Sequence, residues 1–328
     1  MQKFLKYFFS RYVIPFIVCA CVLTYFGSQQ HPVHDVQIEN DYRDEIDSYG
    51  WLSKLNKIHG FILGSSSLRY GLSATTLAKN DEVWVNLSMD ARDPAVFYQL
   101  LKKYAPEKKP SIVIVSLDPW IYSKSYYKYR NPAMLLDLTP EETMQYMKVN
   151  NAVLFSKTKY FLKYQLGLVQ TMNTAPPEIP QKLKVPADMG SVKLKQTAVN
   201  FNNVDNDIFE LTNYGWSDLQ FSYLRKIKEY CVANNIDLVF VVPPKRNDFI
   251  VVMKEKYKDV HDQWWQKLYA SVGGSKIVGH YSDLANYDQK SSFCEAYHLS
   301  AKGQEIYSKY LQQQLDSTRT ITATTDIF

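Results

Sequence analysis

FILGSSSLRYG, the stretch Phe61–Gly71, contains an apolar run that ends at Gly64 and is followed by three consecutive serines. A short apolar run bounded by glycine is typical of a strand that is buried on both faces of a parallel sheet. Open α/β sheets bind their ligands just beyond the carboxyl ends of such strands. A hydroxyl in this turn, beside a free backbone N–H, would be half of an acyl-transfer site. Serines are also common in turns for local hydrogen bonding, so the motif alone leaves a plain turn open.

The rest of the chain alternates apolar runs with amphipathic stretches, which predicts an α/β fold with a parallel sheet and helices on both faces. Further strands are predicted at 83–87, 111–117, 236–242 and 276–279, and helices at 94–104, 218–235, 248–270 and 299–315. Asp93 and Pro94 indicate a helix start, because Asp is favoured at the N-cap and Pro at the first helical position. The predicted domain is 58–315, with a mainly helical insertion at 121–214 over the sheet's carboxyl edge and a flexible tail at 316–328.

The N-terminal segment 1–28 predicts an uncleaved membrane anchor. Residues 13–26 are uncharged, and three basic residues precede them. The positive-inside rule then places the N-terminus in the cytoplasm and the C-terminal domain on the periplasmic side of the cytoplasmic membrane. A cleaved signal peptide is the alternative, but residues 24–26 offer no small-x-small cleavage site. Residues 29–57 are interpreted as a juxtamembrane connection.

Composition narrows the function classes. The 328 residues are 46% hydrophobic and 22% charged, which excludes a disordered chain. The net charge of +5 is mild and no dense Lys/Arg stripe is present, so nucleic-acid binding is not expected. The 25 tyrosines suit stacking on sugars and equally suit surfaces close to a membrane.

Cysteines and histidines do not indicate a metal site. Cys231 and Cys294 are the cysteines outside the N-terminal apolar run, and a disulfide between them stays open for an oxidising compartment. No Cys/His cluster has metal-ligand spacing, so neither a metal nor a cofactor is expected.

A second motif lies far downstream, where Glu295–Leu299 has the sequence EAYHL. Gly64-Ser65-Ser66 early in the chain, together with Glu295-x-x-His298 late in it, resembles the SGNH/GDSL hydrolase superfamily. Three further stretches are similar to motifs of that family: Asn86-Leu87-Ser88, Val241-Val242-Pro243-Pro244 and His298-Leu299-Ser300-x-x-Gly303. The resemblance covers 58–315 apart from the insertion, and it implies a flavodoxin-like, three-layer α/β/α fold.

The resemblance also implies a catalytic triad. Ser66 would be the nucleophile, His298 the base, and Glu295 the group that orients the imidazole, where the family usually has Asp. Ser65 and Ser67 are rival nucleophiles, and the family's Gly-x-Ser pattern selects Ser66. Glu295 is also consistent with a plain charge ahead of the last helix, and a lone histidine in such a loop is often structural.

The oxyanion site is predicted from the same resemblance. The backbone N–H groups of Ser66 and Ser88 would bind the oxyanion, with Asn86 and Gly64 as neighbouring candidates. Family members usually carry an Asn after the third strand, whereas this chain has Asp118 there. A carboxylate would repel an oxyanion, so Asp118 is expected to point elsewhere or not to belong to the oxyanion site.

Arg69, beside the predicted nucleophile, is a candidate for binding an anionic group or for pairing with a surface acid.

These features lead to three hypotheses about function. The first is a membrane-anchored acyltransferase or esterase that acts on O-acyl groups of a cell-surface polysaccharide. The resemblance to accessory proteins of polysaccharide O-acetylation and D-alanylation implies a multi-spanning membrane acyltransferase as its partner. The second is a catalytically weak or inactive accessory subunit that binds glycan or that partner. The third is a simple periplasmic esterase or lipase.

Overall fold

The computed structural model describes residues 9–15, 48–90, 92–123, 185–194 and 215–316. The chain divides into two compact units: Met1–Asp44 with Asn131–Gln181, and Glu45–Arg130 with Lys182–Phe328. Within the first unit the described residues include a π-helical turn, Phe9–Val13. The second unit is an α/β fold and contains both the serine turn and the EAYHL motif.

A five-stranded, all-parallel sheet forms the centre of the α/β unit. Its strands are β1 Gly60–Leu63, β2 Trp84–Asn86, β3 Ile112–Ser116, β4 Asp237–Val241 and β5 Lys276–Val278. They are arranged in the order β2-β1-β3-β4-β5, which is the strand order of flavodoxin-like sheets. The five strands and the α/β class predicted from the sequence are confirmed. In this order the direction of strand addition reverses between β1 and β3, and such sheets place their ligand crevice at that point.

The sheet is stable because both faces of its central strands are buried. All of β1 is buried, and Ile62 pairs in register with Ile114 of β3. β3 and β4 continue this layer with mainly β-branched side chains, which pack well on a pleated surface. Burial of each such side chain stabilises the fold by about 1.5–3 kcal/mol, so the sheet is a rigid base for the turns at its carboxyl edge.

Helices flank the sheet. They are α1 Ser66–Arg69, α2 Ala74–Leu77, α3 Pro94–Lys108, α4 Asp218–Ala233, α5 Asn247–Lys256, α6 Lys258–Val272, α7 Gln289–Ser292 and α8 Ala301–Asp316. Short 3-10 turns occur at Ser48–Lys54, Pro119–Tyr122 and Tyr281–Leu284. The predicted start of α3 is confirmed, since the Asp93 side chain accepts hydrogen bonds from the N–H groups of Ala95 and Val96.

The prediction of one helix at 248–270 is wrong, because two helices meet at Tyr257. The backbone of Tyr257 has φ −128° and ψ 17°, outside the helical range. α5 buries Phe249 and Met253, whereas α6 buries Trp264 and Leu268. A bend between the helices lets each apolar face reach its own part of the core.

Residues 185–194, which belong to the predicted insertion, lie beside the edge strand β2. Met189 O accepts a hydrogen bond of 2.9 Å from the N–H of Asn86, and Arg69 O accepts one of 3.1 Å from Val192. Ser191 Oγ accepts a further hydrogen bond, of 2.8 Å, from Ala74 N–H. The segment therefore covers an edge strand that would otherwise expose unpaired backbone groups. These contacts are with the carboxyl end of β2 and with the helices that follow β1. The rest of the predicted insertion, 124–184 and 195–214, lies outside the described residues.

Two predictions about the chain ends fall largely outside the described residues. The anchor 1–28 is described only at 9–15, and the tail 316–328 only at its first residue. No helix in the described ranges combines the length and the apolarity that a membrane crossing needs.

The two cysteines of the α/β unit are free thiols. Cys231 is buried in α4, and Cys294 is half-buried. The disulfide that the sequence left open is therefore not formed. Burial raises the pKa of Cys231 to about 12, so this thiol is protonated and unreactive at neutral pH.

Candidate active site

The serine turn begins where β1 ends. Gly64 follows the strand, and Ser66 is the first residue of the short helix α1. A Cβ at Gly64 would lie 2.8 Å from the Leu68 Cβ, so a larger residue would push the helix away from the strand. The carbonyl of Gly64 also accepts a 3.0 Å hydrogen bond from Met89 N–H. Gly64 thus serves the close packing of the turn.

The three serine side chains have different surroundings. Ser65 and Ser67 are 4% and 3% exposed, and their hydroxyl oxygens are 3.1 Å apart. Ser67 Oγ also lies 3.3 Å from Ser116 Oγ, at the end of β3. These two hydroxyls tie the turn to the neighbouring strand, whereas Ser66 is half-buried. The rival nucleophiles therefore have structural partners, and Ser66 is the serine that reaches the predicted base.

His298 contacts Ser66 directly. Nε2 of His298 lies 2.7 Å from Ser66 Oγ, across a sequence separation of 232 residues. Nδ1 of the same ring is hydrogen-bonded to Oε1 of Glu295. With Nδ1–H donating to the carboxylate, Nε2 is the acceptor for the hydroxyl proton of Ser66. The hydrogen bond from His298 lowers the pKa of Glu295, and burial opposes that shift, so the carboxylate stays ionised at neutral pH. The sequence-predicted trio is thus assembled in the order that a triad requires.

The loop that carries Glu295 and His298 is closed by backbone pairing. Phe293 and Leu299 form an antiparallel bridge, and Cys294 N–H donates a 2.9 Å hydrogen bond to His298 O. Glu295 and His298 both lie within this closed loop. Glu295 is one methylene longer than the usual Asp, and the loop accommodates it.

Aromatic rings flank the imidazole on two sides. The ring of Tyr70 lies 5.4 Å from that of His298 at 81°, and the ring of Tyr297 lies 4.6 Å away at 65°. Tyr70 O–H donates a 2.6 Å hydrogen bond to Asp90 Oδ2, which also accepts a 3.0 Å bond from Arg69 Nη1. Arg69 therefore pairs with an acid, the second of its two predicted roles. Sequence reasoning missed Tyr70 and Asp90, although Tyr70 lies within the opening motif.

Asn86 and Ser88 differ from their predicted roles. Nδ2 of Asn86 donates to the carbonyls of Leu68 at 3.0 Å and Leu72 at 3.2 Å. Its Oδ1 accepts a 3.0 Å hydrogen bond from Ser88 N–H. Both amide protons of Asn86 are consumed, so Asn86 joins β2 to the serine turn rather than facing a substrate. The prediction that Ser88 N–H binds an oxyanion is wrong, because the Asn side chain two residues earlier already occupies it.

One of the two predicted oxyanion donors remains. Within the described residues, the backbone N–H of Ser66 has no hydrogen-bond acceptor. Its position at the start of α1 leaves it outside the helical hydrogen-bond pattern. This N–H is therefore available to a developing negative charge on a substrate oxygen.

Asp118 points to a buried lysine. Nζ of Lys245 donates a 3.1 Å hydrogen bond to Asp118 Oδ2, and the Lys245 side chain is 0% exposed. Nζ also lies 5.1 Å from the ring centre of Trp120, 5.8 Å from that of Tyr297 and 5.9 Å from that of Phe249. Burial lowers the pKa of Lys245, whereas the charge of Asp118 and the hydrogen bond to it oppose that shift. The negative charge of Asp118 is thus compensated by the Lys245 ammonium at the same edge of the sheet. The sequence analysis did not predict this ion pair.

In the ranges that the structure describes, no three His, Cys, Asp or Glu side chains are grouped so that they could hold a metal ion. The arrangement present is a hydroxyl, an imidazole and a carboxylate in sequence, with one free N–H beside the hydroxyl. Chemically this set can deprotonate the hydroxyl and hold the resulting imidazolium.

Comparison with known proteins leaves the family open. No family model matches this chain, and no curated protein matches it. A solved structure from Streptococcus pneumonia, provisionally described as a platelet activating factor, is similar at 10% identity and a TM-score of 0.42. That likeness covers 85% of this chain and 94% of the other. It is too low to assign a family or an activity.

Proposed function

We propose that this protein is an SGNH-like acyl-transfer enzyme, anchored in the cytoplasmic membrane, that acts on O-acyl groups of a cell-surface polysaccharide. The observation that carries this proposal is the 2.7 Å contact between Ser66 Oγ and His298 Nε2, with Glu295 on the opposite ring nitrogen. The position of the three residues, at the carboxyl edge of a 2-1-3-4-5 sheet, also supports it.

In the proposed reaction, Ser66 Oγ attacks the acyl carbon of a donor ester while Nε2 of His298 takes the hydroxyl proton. His298 returns that proton to the leaving oxygen, which departs as an alcohol and leaves the acyl group on Ser66. A sugar hydroxyl or water then attacks the same carbon and gives its proton to His298. The bond between Oγ and the acyl carbon breaks, and Oγ recovers the proton. Glu295 stabilises the imidazolium in both halves.

Only one of the two predicted oxyanion donors is free in the described part of the chain, which predicts a slow enzyme. Removing one oxyanion donor costs about 100- to 1000-fold in rate, and Ser88 N–H is already engaged by Asn86. Such a site hydrolyses simple esters poorly. It would depend on contacts to its own donor and acceptor to hold the reacting groups in place.

The cellular setting comes from the N-terminal segment. An uncleaved anchor at 1–28 would hold the site near the outer face of the cytoplasmic membrane. A multi-spanning membrane acyltransferase could there supply the acyl group from the cytoplasmic side, and the polysaccharide would be the acceptor. The charge pattern of the N-terminus and the family resemblance support this setting.

The test uses Ser66→Ala and His298→Ala in cells and in the purified full-length protein. Acylation of the surface polysaccharide and hydrolysis of p-nitrophenyl acetate are measured for each variant. The proposal predicts that both variants lose acylation and that wild-type hydrolysis is slow. Rapid wild-type hydrolysis of small esters would favour the simple esterase instead.

A second candidate is a non-catalytic accessory subunit that binds glycan or the membrane partner. The engagement of Ser88 N–H by Asn86 favours it, because one predicted oxyanion donor is missing. In that case Ser66→Ala would keep full acylation in cells, whereas deletion of the protein would abolish it.

A further inference from the structure

We propose that Trp120 and Tyr297 form an acceptor subsite, on which a neutral sugar ring of the polysaccharide stacks while its hydroxyl faces Ser66. This inference rests on the proposed acyl-transfer function and names the surface that would choose the acceptor. The two residues come from different parts of the chain: Trp120 follows β3, and Tyr297 directly precedes His298.

The position of the two rings suits an acceptor. The ring centres of Trp120 and Tyr297 are 5.1 Å apart and the rings are inclined at 35° to each other, so the two side chains pack together as one aromatic pair. Tyr297 also contacts the imidazole of His298, with ring centres 4.6 Å apart. A ligand on this surface would therefore lie next to the group that must deprotonate an attacking hydroxyl. That is where an acceptor has to be held in an acyl transfer.

Burial differs sharply within this one aromatic cluster. Phe249, whose ring centre lies 5.2 Å from that of Trp120, is fully buried. It packs with Met253 and Ala296 in a small core. Trp120 and Tyr297 lie over that core and are only half-buried. Large aromatic residues with one buried and one accessible side are typical of ligand-binding surfaces, since they offer contact area at little entropic cost.

A buried ion pair lies beneath the rings. Lys245 is 0% exposed and contacts both rings as well as Asp118. A buried ion pair is seldom the most stable arrangement, because apolar residues of similar volume often serve stability as well or better. Its position instead holds the loops after β3 and β4 and the His298 loop in one geometry. A fixed aromatic surface binds with less loss of entropy than a mobile one.

The charge distribution selects a neutral ligand. The ammonium of Lys245 already interacts with the π systems of both rings, so a ligand cation over the same rings would be repelled. Lys245 and Asp118 together carry no net charge, so this ion pair does not attract an anion either. The C–H face of a sugar ring is neutral and flat, and its hydroxyls project from the edge, where one can reach the acyl group on Ser66.

The chemical step is the second half of the proposed reaction. The stacked sugar's hydroxyl oxygen forms the new bond to the acyl carbon, and its proton passes to Nε2 of His298. The bond from that carbon to Ser66 Oγ breaks, and Oγ takes the proton back from His298. No oxidant or further reactant is needed.

The experiment uses purified full-length protein and measures how the acyl group is divided between transfer to a saccharide and hydrolysis by water. p-Nitrophenyl acetate is the donor, and cellotetraose, mannotetraose and tetra-N-acetylchitotetraose, all neutral, are the acceptors. Acetylated saccharide is measured by mass spectrometry, and free acetate gives hydrolysis. We expect Trp120→Leu to lower the ratio of transfer to hydrolysis about 10-fold or more, the effect of losing one aromatic contact. Trp120→Phe, which keeps a ring, should stay within about 3-fold of wild type.

The control is Tyr98→Leu. Tyr98 is also half-buried and also has a lysine, Lys102, over its ring at 5.4 Å, but it lies on α3. It should leave the ratio unchanged. A fluorophosphonate probe measures the reactivity of Ser66 separately, and Trp120→Leu should change its labelling rate by less than about 2-fold, since the triad is intact.

Three results would overturn the subsite. One is an unchanged transfer ratio in Trp120→Leu. Another is wild-type protein that is labelled at Ser66 but acetylates none of the saccharides. The third is a preference for p-nitrophenyl octanoate over the acetate that Trp120→Leu abolishes, because the rings would then hold an acyl chain. Absence of Ser66 labelling in wild type would instead refute the proposed function itself.

Discussion

Replacement of Asp118 by Asn tests how the carboxyl edge of the sheet is organised. Asn keeps the size of the side chain and removes its charge, leaving the buried ammonium of Lys245 without its counter-ion. At the observed separation of 3.1 Å, two unit charges interact by about 5 kcal/mol at an effective dielectric constant of about 20. Breaking a buried pair by removing one partner costs about 3–5 kcal/mol. We expect the free energy of unfolding to fall by that amount.

The assay is urea unfolding followed by tryptophan fluorescence, together with hydrolysis of p-nitrophenyl acetate. If Asp118 faced the oxyanion, Asn would turn a repelling group into a donor and raise hydrolysis by about 100-fold. Because Asp118 faces Lys245, Asn should give no such gain. A variant that is as stable as wild type and hydrolyses the ester much faster would refute the arrangement.

A double-mutant cycle separates the ion pair from general damage. Lys245→Met alone leaves a buried carboxylate and should also cost about 3–5 kcal/mol. Asp118→Asn combined with Lys245→Met removes both charges, so the double variant should be no less stable than the worse single variant. Additive losses would show that the two residues do not form an ion pair.

The other predictions concern the triad, a helix cap and the turn. Glu295→Gln should slow ester hydrolysis about 100-fold or more, because the amide no longer stabilises the imidazolium, and Glu295→Asp should restore most of it; equal rates for Gln and wild type would mean that the carboxylate is dispensable. Burial raises the pKa of Asp93 from 3.8 to about 6, so the native state holds a proton that the unfolded chain loses, and stability falls as pH rises from about 4 to about 6. Asn caps helices as well as Asp, so Asp93→Asn should raise the free energy of unfolding at pH 7.5 by about 1–3 kcal/mol, with no gain at pH 3; a variant that is less stable at both pH values would contradict this. Asn86→Ala removes one hydrogen-bond partner from each of the Leu68 and Leu72 carbonyls and from the Ser88 N–H. We expect it to lower the free energy of unfolding in urea by about 3 kcal/mol. A loss below about 1 kcal/mol would show that these bonds are not needed.

The strands were predictable because buried strands of a parallel sheet consist of uninterrupted runs of apolar residues. β3 is buried at four of its five residues, and its apolar run is unbroken in the sequence from Ile112 to Val115. The proximity of Ser66 to His298 was implied by the resemblance of the two motifs to the SGNH/GDSL superfamily. The bend at Tyr257 was not predictable, since the apolar pattern runs through it and only the packing of two separate faces requires a break.

The details of the site depend on side-chain direction, which motif spacing does not encode. Asn86-Leu87-Ser88 predicts a polar turn after β2, but whether the Asn side chain or a substrate binds Ser88 N–H is decided by the position of the Leu68 and Leu72 carbonyls. Likewise, Lys245 follows Pro244 in an ordinary strand-exit motif. Its burial against Asp118 arises because β3 and β4 are neighbours in the sheet, which became evident only with the strand order.

The most direct test of the proposed catalytic role is labelling of the full-length protein with a fluorophosphonate, followed by peptide mapping. We expect a single modified serine, Ser66, with no labelling in Ser66→Ala and labelling at least about 100-fold slower in His298→Ala. Labelling at Ser65 or Ser67, or labelling of Ser66 at an undiminished rate without the imidazole, would contradict the proposed role.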